Sequence, residues 1–414
     1  DVYKRQIPYD VVDSAEHRAL TLRAARESIV LLKNSDDLLP LSKDLRSIAV
    51  IGPNADDLQV LLGNYHGTPS RAITPLEGIL GKLPPAATVY FAQGCEIAEG
   101  VPPLSVVPPS QLRPVDADAN QSGLMAAYYE GSTLDGDPAF TQIDPMVDFY
   151  WKGVSPLSGR LADAFAVRWN GTLVAPVTGT YKLGVNGFNT YHLLLDGETI
   201  VEHQDIHHAI QKTRDVKLEA GRLYQVRLDF VSRGLDPQVQ LLWSVPGVDN
   251  TAQALESAEK AELVVMVMGL SPNLEGEEMP VQVPGFVGGD RTNIDLPRPQ
   301  VELLKQVHAL GKPMVLVLMN GSALAVNWAA EHIPAIIEAW YPGQAGGQAI
   351  ADVLFGDFNP GGRLPVTFYR SVDDLPPFDD YRMEGHTYRY FRGEPLFPFG
   401  HGLSYASFTY TDMW

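Results

Sequence analysis

The sequence predicts an α/β fold: a layered α/β sandwich, with a mostly parallel sheet between helices, interrupted by an inserted antiparallel β-sandwich. Three observations predict it. Unbroken apolar runs such as "SIAVIG" (47–52), "LVVMVMG" (263–269) and "PMVLVLMNG" (313–321) have the composition of strands covered on both faces, as parallel sheets are. Helix-patterned segments alternate with these runs on both sides of residues 119–248. Inside 119–248 the pattern changes to apolar and polar residues in strict alternation, the mark of half-buried antiparallel strands.

Each element follows from local pattern. "DSAEHRALTLRAARESIVLLKN" (13–34) sets Leu22, Ala25, Ile29 and Leu32 three or four apart behind an Asp13 or Ser14 cap, which predicts one amphipathic helix. A strand (47–52), the helix-like "DDLQVLLGNY" (56–65) and a second strand, "TVYFAQG" (88–94), complete a β-α-β unit. The proline-rich "VPPLSVVPPSQLRP" (101–114) and the helix-like "TAQALESAEKAE" (251–262) border the insert. Its strands are "LMAAYYEG", "FAVRWNGTLVAP", "GTYKLGVNG", "YHLLLDGETIVEH" and "LYQVRLDF", and Asp196-Gly197 suits a tight hairpin. The α/β pattern then resumes with strand 263–269, helix "PQVELLKQVHALG", strand 313–321, strand "IPAIIEAWY" and helix "GQAGGQAIADVLFG". The expected organisation is an α/β domain in two parts, 1–118 and 249–400, around an insert at 119–248, with 401–414 opening a linker or further strand-rich domain.

Composition narrows function. Fifty acidic against 31 basic residues leave a formal charge of -19, which repels phosphate backbones and anionic lipid. No nucleic acid and no membrane is expected as partner; no apolar run approaches the ~18 residues of a spanning helix. Cys95 stands alone, so no intrachain disulfide and no cysteine metal cluster can form. The opening "DVYKRQIPYD" has no leader pattern and reads as mid-chain, which leaves the compartment open, with periplasmic or secreted favoured over cytoplasmic. Nucleophile-elbow, phosphate-loop and dinucleotide fingerprints are missing, which argues against a nicotinamide oxidoreductase. His203, His207 and His208 in "EHQDIHH" have a metal-compatible spacing, but within a strand-rich block they read as a surface loop.

The informative stretch is "LSPNLEGEEMPVQVPGFVGGDR" (270–291), directly after an apolar strand. Open α/β sheets place ligands outside the carboxyl ends of their strands. Glu275, Glu277 and Glu278 crowd three carboxylates into four positions, and crowding of that kind favours one of them holding a proton, as a general acid must. A solvated glutamate-rich loop is the competing reading.

These segments carry a resemblance. "RAARESIVLLKNSDDLLPL", "IAVIGPNAD", "LGNYHGTPS", "GGDRTNIDLP", "AWYPGQAGGQAIADVLFGDFNPGGRLPVTF" and "FPFGHGLSY" occur in the order found in the carboxyl-terminal α/β sandwich domain of family 3 glycoside hydrolases, which include β-glucosidases and β-xylosidases. The insert, with "GLMAAYYEG", "GTYKLGVNG" and "LLLDGETI", is similar to protective-antigen-type β-sandwiches. The resemblance implies a retaining exo-β-glycosidase acting on β-linked oligosaccharides or aryl and alkyl glycosides without metal or organic cofactor. It implies that "LEGEE" supplies the acid/base, with Glu277 favoured and Glu275 and Glu278 as alternatives. Asp290 and Arg291 form the downstream pair, expected either at substrate or anchoring the loop by an ion pair. The family's nucleophilic aspartate lies in an amino-terminal barrel, and its Ser-Asp-Trp context is absent here. The chain is thus expected to be the acid/base part of the enzyme, inactive alone, its missing barrel being its partner. The insert is expected to limit aglycone length.

Once a sugar is assumed, Trp340 and Tyr341 are candidates to stack on a pyranose, although such positions also serve as sheet-end packing. Asn64, Tyr65 and His66, between two glycines, are candidates for the cleft rim. The alternative function is a non-catalytic carbohydrate-binding or scaffold protein.

Overall fold

Leu263–Gly269 is buried at every position, and so is Met314–Met319. Strands of this kind must be central and covered on both faces. The computed structural model, which describes residues 11–67, 69, 71–115, 121–151, 155–157, 159, 163–204, 210–233, 237–279, 281–407, 409 and 411, places them side by side in parallel. Among the described residues the sheet order is Val30–Asn34, Ala335–Glu338, Met314–Met319, Leu263–Gly269, Ser47–Ile51, Thr88–Ala92. All neighbours are parallel except Val30–Asn34, which runs antiparallel to Ala335–Glu338.

Alternate side chains feed two cores. Ala49, Ile51, Val264, Met266, Leu316 and Ile336 pack under the helices Asn250–Lys260, Arg298–His308 and Asn327–His332. Ile48, Val50, Val265, Val267, Val315 and Ile337 pack under Ala15–Ser28, Pro75–Leu80 and Gly346–Leu354. Helix, sheet and helix make three layers, and each fully buried valine or leucine contributes about 1.5–3 kcal/mol. Beneath the second layer of helices, Asp352 is fully buried and ties Arg26 to Lys82.

One expected element is corrected. The helix predicted over 13–34 stops at Ser28, capped at its start by Ser14, and Val30–Asn34 is an edge strand. Ile29 and Leu32 satisfy a helical stripe by spacing alone, yet three consecutive buried residues, Val30, Leu31 and Leu32, cannot all lie on one helix face. Farther on, Leu403 donates its N–H to the Leu31 carbonyl at 2.8 Å, so the tail lies on this edge strand.

The chain divides into two compact units, Asp1–Pro103 with Asp249–Trp414, and Leu104–Val248. The second is an antiparallel β-sandwich, with Ile210–Leu218, Gly179–Gly187 and Gln238–Ser244 in one sheet. Glu198–His203, Thr190–Leu195, Leu223–Ser232, Phe165–Val174 and Leu124–Glu130 lie in the other. Trp169, Tyr181, Tyr191 and Phe230 fill the space between. Asp196 and Gly197 both have positive φ, as a two-residue hairpin turn needs. The proline-rich stretch contributes two short strands, Ser105–Val106 and Leu112–Pro114, one to each sheet. His203 is buried on a strand against Tyr191, with ring centroids 5.1 Å apart, so it does not belong to a surface loop. His207 and His208 lie outside the described residues.

Candidate functional site

The order of the main sheet reverses once. From Ser47–Ile51 the chain moves to Thr88–Ala92 on one side, then returns to Leu263–Gly269 on the other. Connections from the two neighbours Ser47–Ile51 and Leu263–Gly269 diverge, which opens a crevice outside their carboxyl ends. Both loops singled out in the sequence emerge there. Asn54, fully buried, donates its side-chain amide to the Leu270 carbonyl at 2.7 Å and fixes the two exits together.

The acidic loop turns tightly because Leu274 and Glu275 both donate backbone N–H groups to Ser271, at 2.8 and 3.1 Å. Leu270 and Leu274 are buried beneath it. Gly289, at φ 92°, presses the following hairpin onto this loop; a Cβ there would stand 1.7 Å from the Gly276 carbonyl oxygen. The hairpin's strands are Gln282–Val283, Phe286–Val287 and Asp290–Arg291.

The three glutamates part company. Glu275 turns inward, and its Oε1 accepts from the Tyr341 hydroxyl at 2.5 Å and the Gly321 N–H at 2.7 Å, while its Oε2 accepts from Ser322 at 2.5 Å. Gly321 has no side chain to keep the carboxylate off its backbone: a Cβ would lie 3.2 Å from Oε1. Burial and then Glu275 push the Tyr341 phenol far up, so it remains a donor. Glu277 is exposed, and its Oε2 accepts from the Tyr65 hydroxyl at 2.5 Å. That bond raises the Tyr65 phenol above its ordinary value, keeping the proton on tyrosine. Glu278 is exposed at φ 49°. With Glu275 and Glu277 bonded to different partners, the crowding expected from sequence is relieved by direction.

Arg291 and Asp290 also separate. The Arg291 guanidinium is bound by Ser322 at 2.9 Å and the Ala323 carbonyl at 2.8 Å, and burial lowers its pKa while Glu275 pulls it back. Asp290 is exposed and forms no ion pair among the described residues. Arg291 thus ties the hairpin to the loop after Met319, and among the described residues no ion pair joins it to Asp290.

Tyr65, at φ 55° and 67% exposed, reaches Glu277. His66 is exposed with its Nδ1 2.9 Å from the Gly67 carbonyl, and neighbouring Thr68 and Ser70 lie outside the described residues. Trp340 is placed as packing: its indole N–H donates to the Ser28 carbonyl at 3.1 Å and its ring meets Phe368 edge-on at 6.1 Å.

Sequence reasoning missed Asn320, Ser322 and Glu338. Glu338 is fully buried, accepting from the Trp340 N–H at 3.0 Å and Asn320 at 3.1 Å, and burial raises its pKa well above its ordinary value. The signal was present, since a glutamate inside the apolar run "AIIEAWY" has no place in a core unless bonded or neutral. No group of three or more His, Cys, Asp or Glu side chains among the described residues is placed to hold a metal.

Comparison with known proteins agrees with this architecture. The glycosyl hydrolase family 3 C-terminal domain matches residues 29–405. A xylan 1,4-beta-xylosidase of Xylanibacter ruminicola is 35% identical over 97% of this chain and 46% of its own length. A probable beta-glucosidase I of Aspergillus terreus is 31% identical over 98% of this chain and 50% of its own. Among solved structures, the beta-glucosidase of Kluyveromyces marxianus in complex with glucose is similar at a TM-score of 0.64 and 28% identity, covering 95% of this chain and 48% of that one. The chain therefore spans about half the length of the curated relatives it matches. From the matched segment, the sheet order and these relatives, the chain belongs to the glycosyl hydrolase family 3 C-terminal domain family.

Proposed function

We propose that this chain supplies the general acid/base of a retaining exo-β-glycosidase, with Glu277 in that role. The observation behind the choice is the divergence of Glu275 and Glu277. A carboxylate accepting three hydrogen bonds from Tyr341, Ser322 and Gly321 is an anchor. An exposed carboxylate held by one phenol at the crevice can still meet a substrate.

In the proposed cycle Glu277 protonates the leaving glycosidic oxygen while an aspartate on polypeptide beyond these 414 residues attacks the anomeric carbon. Glu277, now a carboxylate, then takes a proton from the water that releases the sugar. The Tyr65 hydroxyl stabilises the negative charge that proton donation leaves on Glu277, and it yields in the second step as the proton returns. Arg291 holds the hairpin, and the hairpin holds the loop. His66 and Asp290, both exposed, are proposed at the rim of the sugar site. Retention requires the two carboxyl groups to flank the bond at about 5–5.5 Å, so the 414 residues alone are proposed to be inactive. The matching of only half of each relative supports that division.

The test supplies the barrel from the coding sequence upstream of Asp1 and replaces Glu277 by alanine. Substrates with poor leaving groups, which need the proton, are expected to lose turnover far more than activated aryl glycosides. Equal losses for both, or turnover by the unsupplemented chain, would overturn the proposal.

A further inference from the structure

A cavity of about 400 Å³ lies beneath the 282–291 hairpin, and none of its lining residues belongs to the Tyr65–Glu277 pair or the Glu275 anchor. Its floor is Phe286, Leu296, Leu304, Val326 and Ala329, none more than 4% exposed. Trp328 forms part of the wall. Its ring is held before any ligand arrives, by His332 stacked at 4.6 Å, His308 edge-on at 5.3 Å and the Lys305 ammonium 5.6 Å from its centre. Pockets of this size, with an apolar lining and a few polar groups, are what small molecules fill, and a fixed aromatic wall lowers the ordering cost of filling one.

The polar groups narrow the occupant. At the rim Arg298 is already paired with Glu99 at 3.0 Å, and Asp295 adds a second carboxylate, so the lining offers no free cation to an anionic ligand. A sugar would press hydroxyls against the five apolar floor residues without partners, at a cost of about 1–3 kcal/mol each. Asn327 donates its side-chain N–H to the Arg370 carbonyl at 2.7 Å, and its Oδ1 is shut off from solvent, so this side chain offers an occupant no hydrogen bond.

We propose that this cavity is a second binding site, for an uncharged aryl ligand of one or two rings, which lies over the apolar floor beside Trp328. The site does not depend on the assignment of Glu277. Because Pro284, Gly285 and Phe286 at the hairpin turn form one side of the cavity, an occupant braces the hairpin that leads to Arg291.

Calorimetric titration of the 414-residue chain with 2-naphthol, phenol, anisole, benzoate and glucose tests the proposal. Saturable 1:1 binding of 2-naphthol, phenol and anisole is expected, with benzoate and glucose silent, and slower hydrogen exchange across 282–291 when 2-naphthol is bound. Val301→Trp, at a half-buried lining position, and Ala329→Leu, on the floor, should each weaken 2-naphthol binding by about tenfold or more. Should Ala329→Leu fail to fold, Val301→Trp alone decides. Absence of saturable binding up to the solubility limit, unchanged affinity in Val301→Trp, or benzoate or glucose matching 2-naphthol overturns the site.

Discussion

Replacing Glu275 and Glu277 one at a time by alanine separates anchor from reagent without any substrate. Glu275 accepts hydrogen bonds at 2.5, 2.5 and 2.7 Å from Tyr341, Ser322 and Gly321, and its charge favours the cationic form of the half-buried Arg291 guanidinium. Bonds to a charged acceptor contribute about 1.5–3 kcal/mol each, but three sharing one carboxylate do not add. Glu275 is half-buried and its three partners are neutral donors, so the expected loss for Glu275→Ala is about 2–3 kcal/mol, below that of breaking a fully buried ion pair. Glu277 is exposed and, among the described residues, bonded only to the exposed Tyr65, so Glu277→Ala should cost about 0.5 kcal/mol or less. Native-state hydrogen exchange of amides on Leu263–Gly269 and Met314–Met319 reads the opening of the α/β unit itself, separate from the inserted sandwich. Values for the two variants within about 1 kcal/mol of each other would refute the claim that one glutamate holds the loop and the other is free of it.

Further expectations follow from the same contacts. Tyr65→Phe in the barrel-completed enzyme should slow poor-leaving-group substrates by about tenfold, one charge-assisted bond, with little change for activated aryl glycosides; equal slowing of both would assign Tyr65 elsewhere. Glu338 has a folded-state pKa raised by burial, so the stability it confers is fully present below about pH 4.3 and is lost as pH rises from there through the raised folded value. Glu338→Gln should therefore flatten the fall in stability above that pH, and urea midpoints measured from pH 4 to 8 that fall as steeply as before would contradict it. Gly289→Ala, which drives a Cβ to 1.7 Å from the Gly276 oxygen at a positive φ, should loosen the acidic loop and reduce activity of the completed enzyme while leaving the sheet's amide protection unchanged.

The layered fold was legible because its strands are near-continuous apolar runs that no surface element tolerates, and because the insert alternates with period two. Val30–Asn34 was hidden since Leu22, Ala25, Ile29 and Leu32 also fit a helical period, and only the pairing with Ala335–Glu338, some 300 residues away, decides between them. At the candidate site, the loop was legible and the direction of its side chains was not. Position after a buried strand located the acidic loop, but Glu275 and Glu277 differ in sequence by two places and in space by their partners. Those partners, Gly321, Ser322 and Tyr341, stand 46, 47 and 66 positions from Glu275, and Tyr65 stands 212 from Glu277. Trp340, open in sequence between a sugar platform and sheet-end packing, stands at φ 59° with its indole N–H on the Ser28 carbonyl, a contact some 300 residues away that no local pattern announces.

Azide rescue in the enzyme completed by its barrel addresses the role of Glu277 most directly. An anion small enough to occupy the space of the removed carboxyl, and needing no base to attack, should restore turnover of an activated aryl glycoside by Glu277→Ala and give the β-configured glycosyl azide, with no rescue of Glu275→Ala. Undiminished hydrolysis of β-linked disaccharides by Glu277→Ala, or rescue confined to Glu275→Ala, would contradict the account.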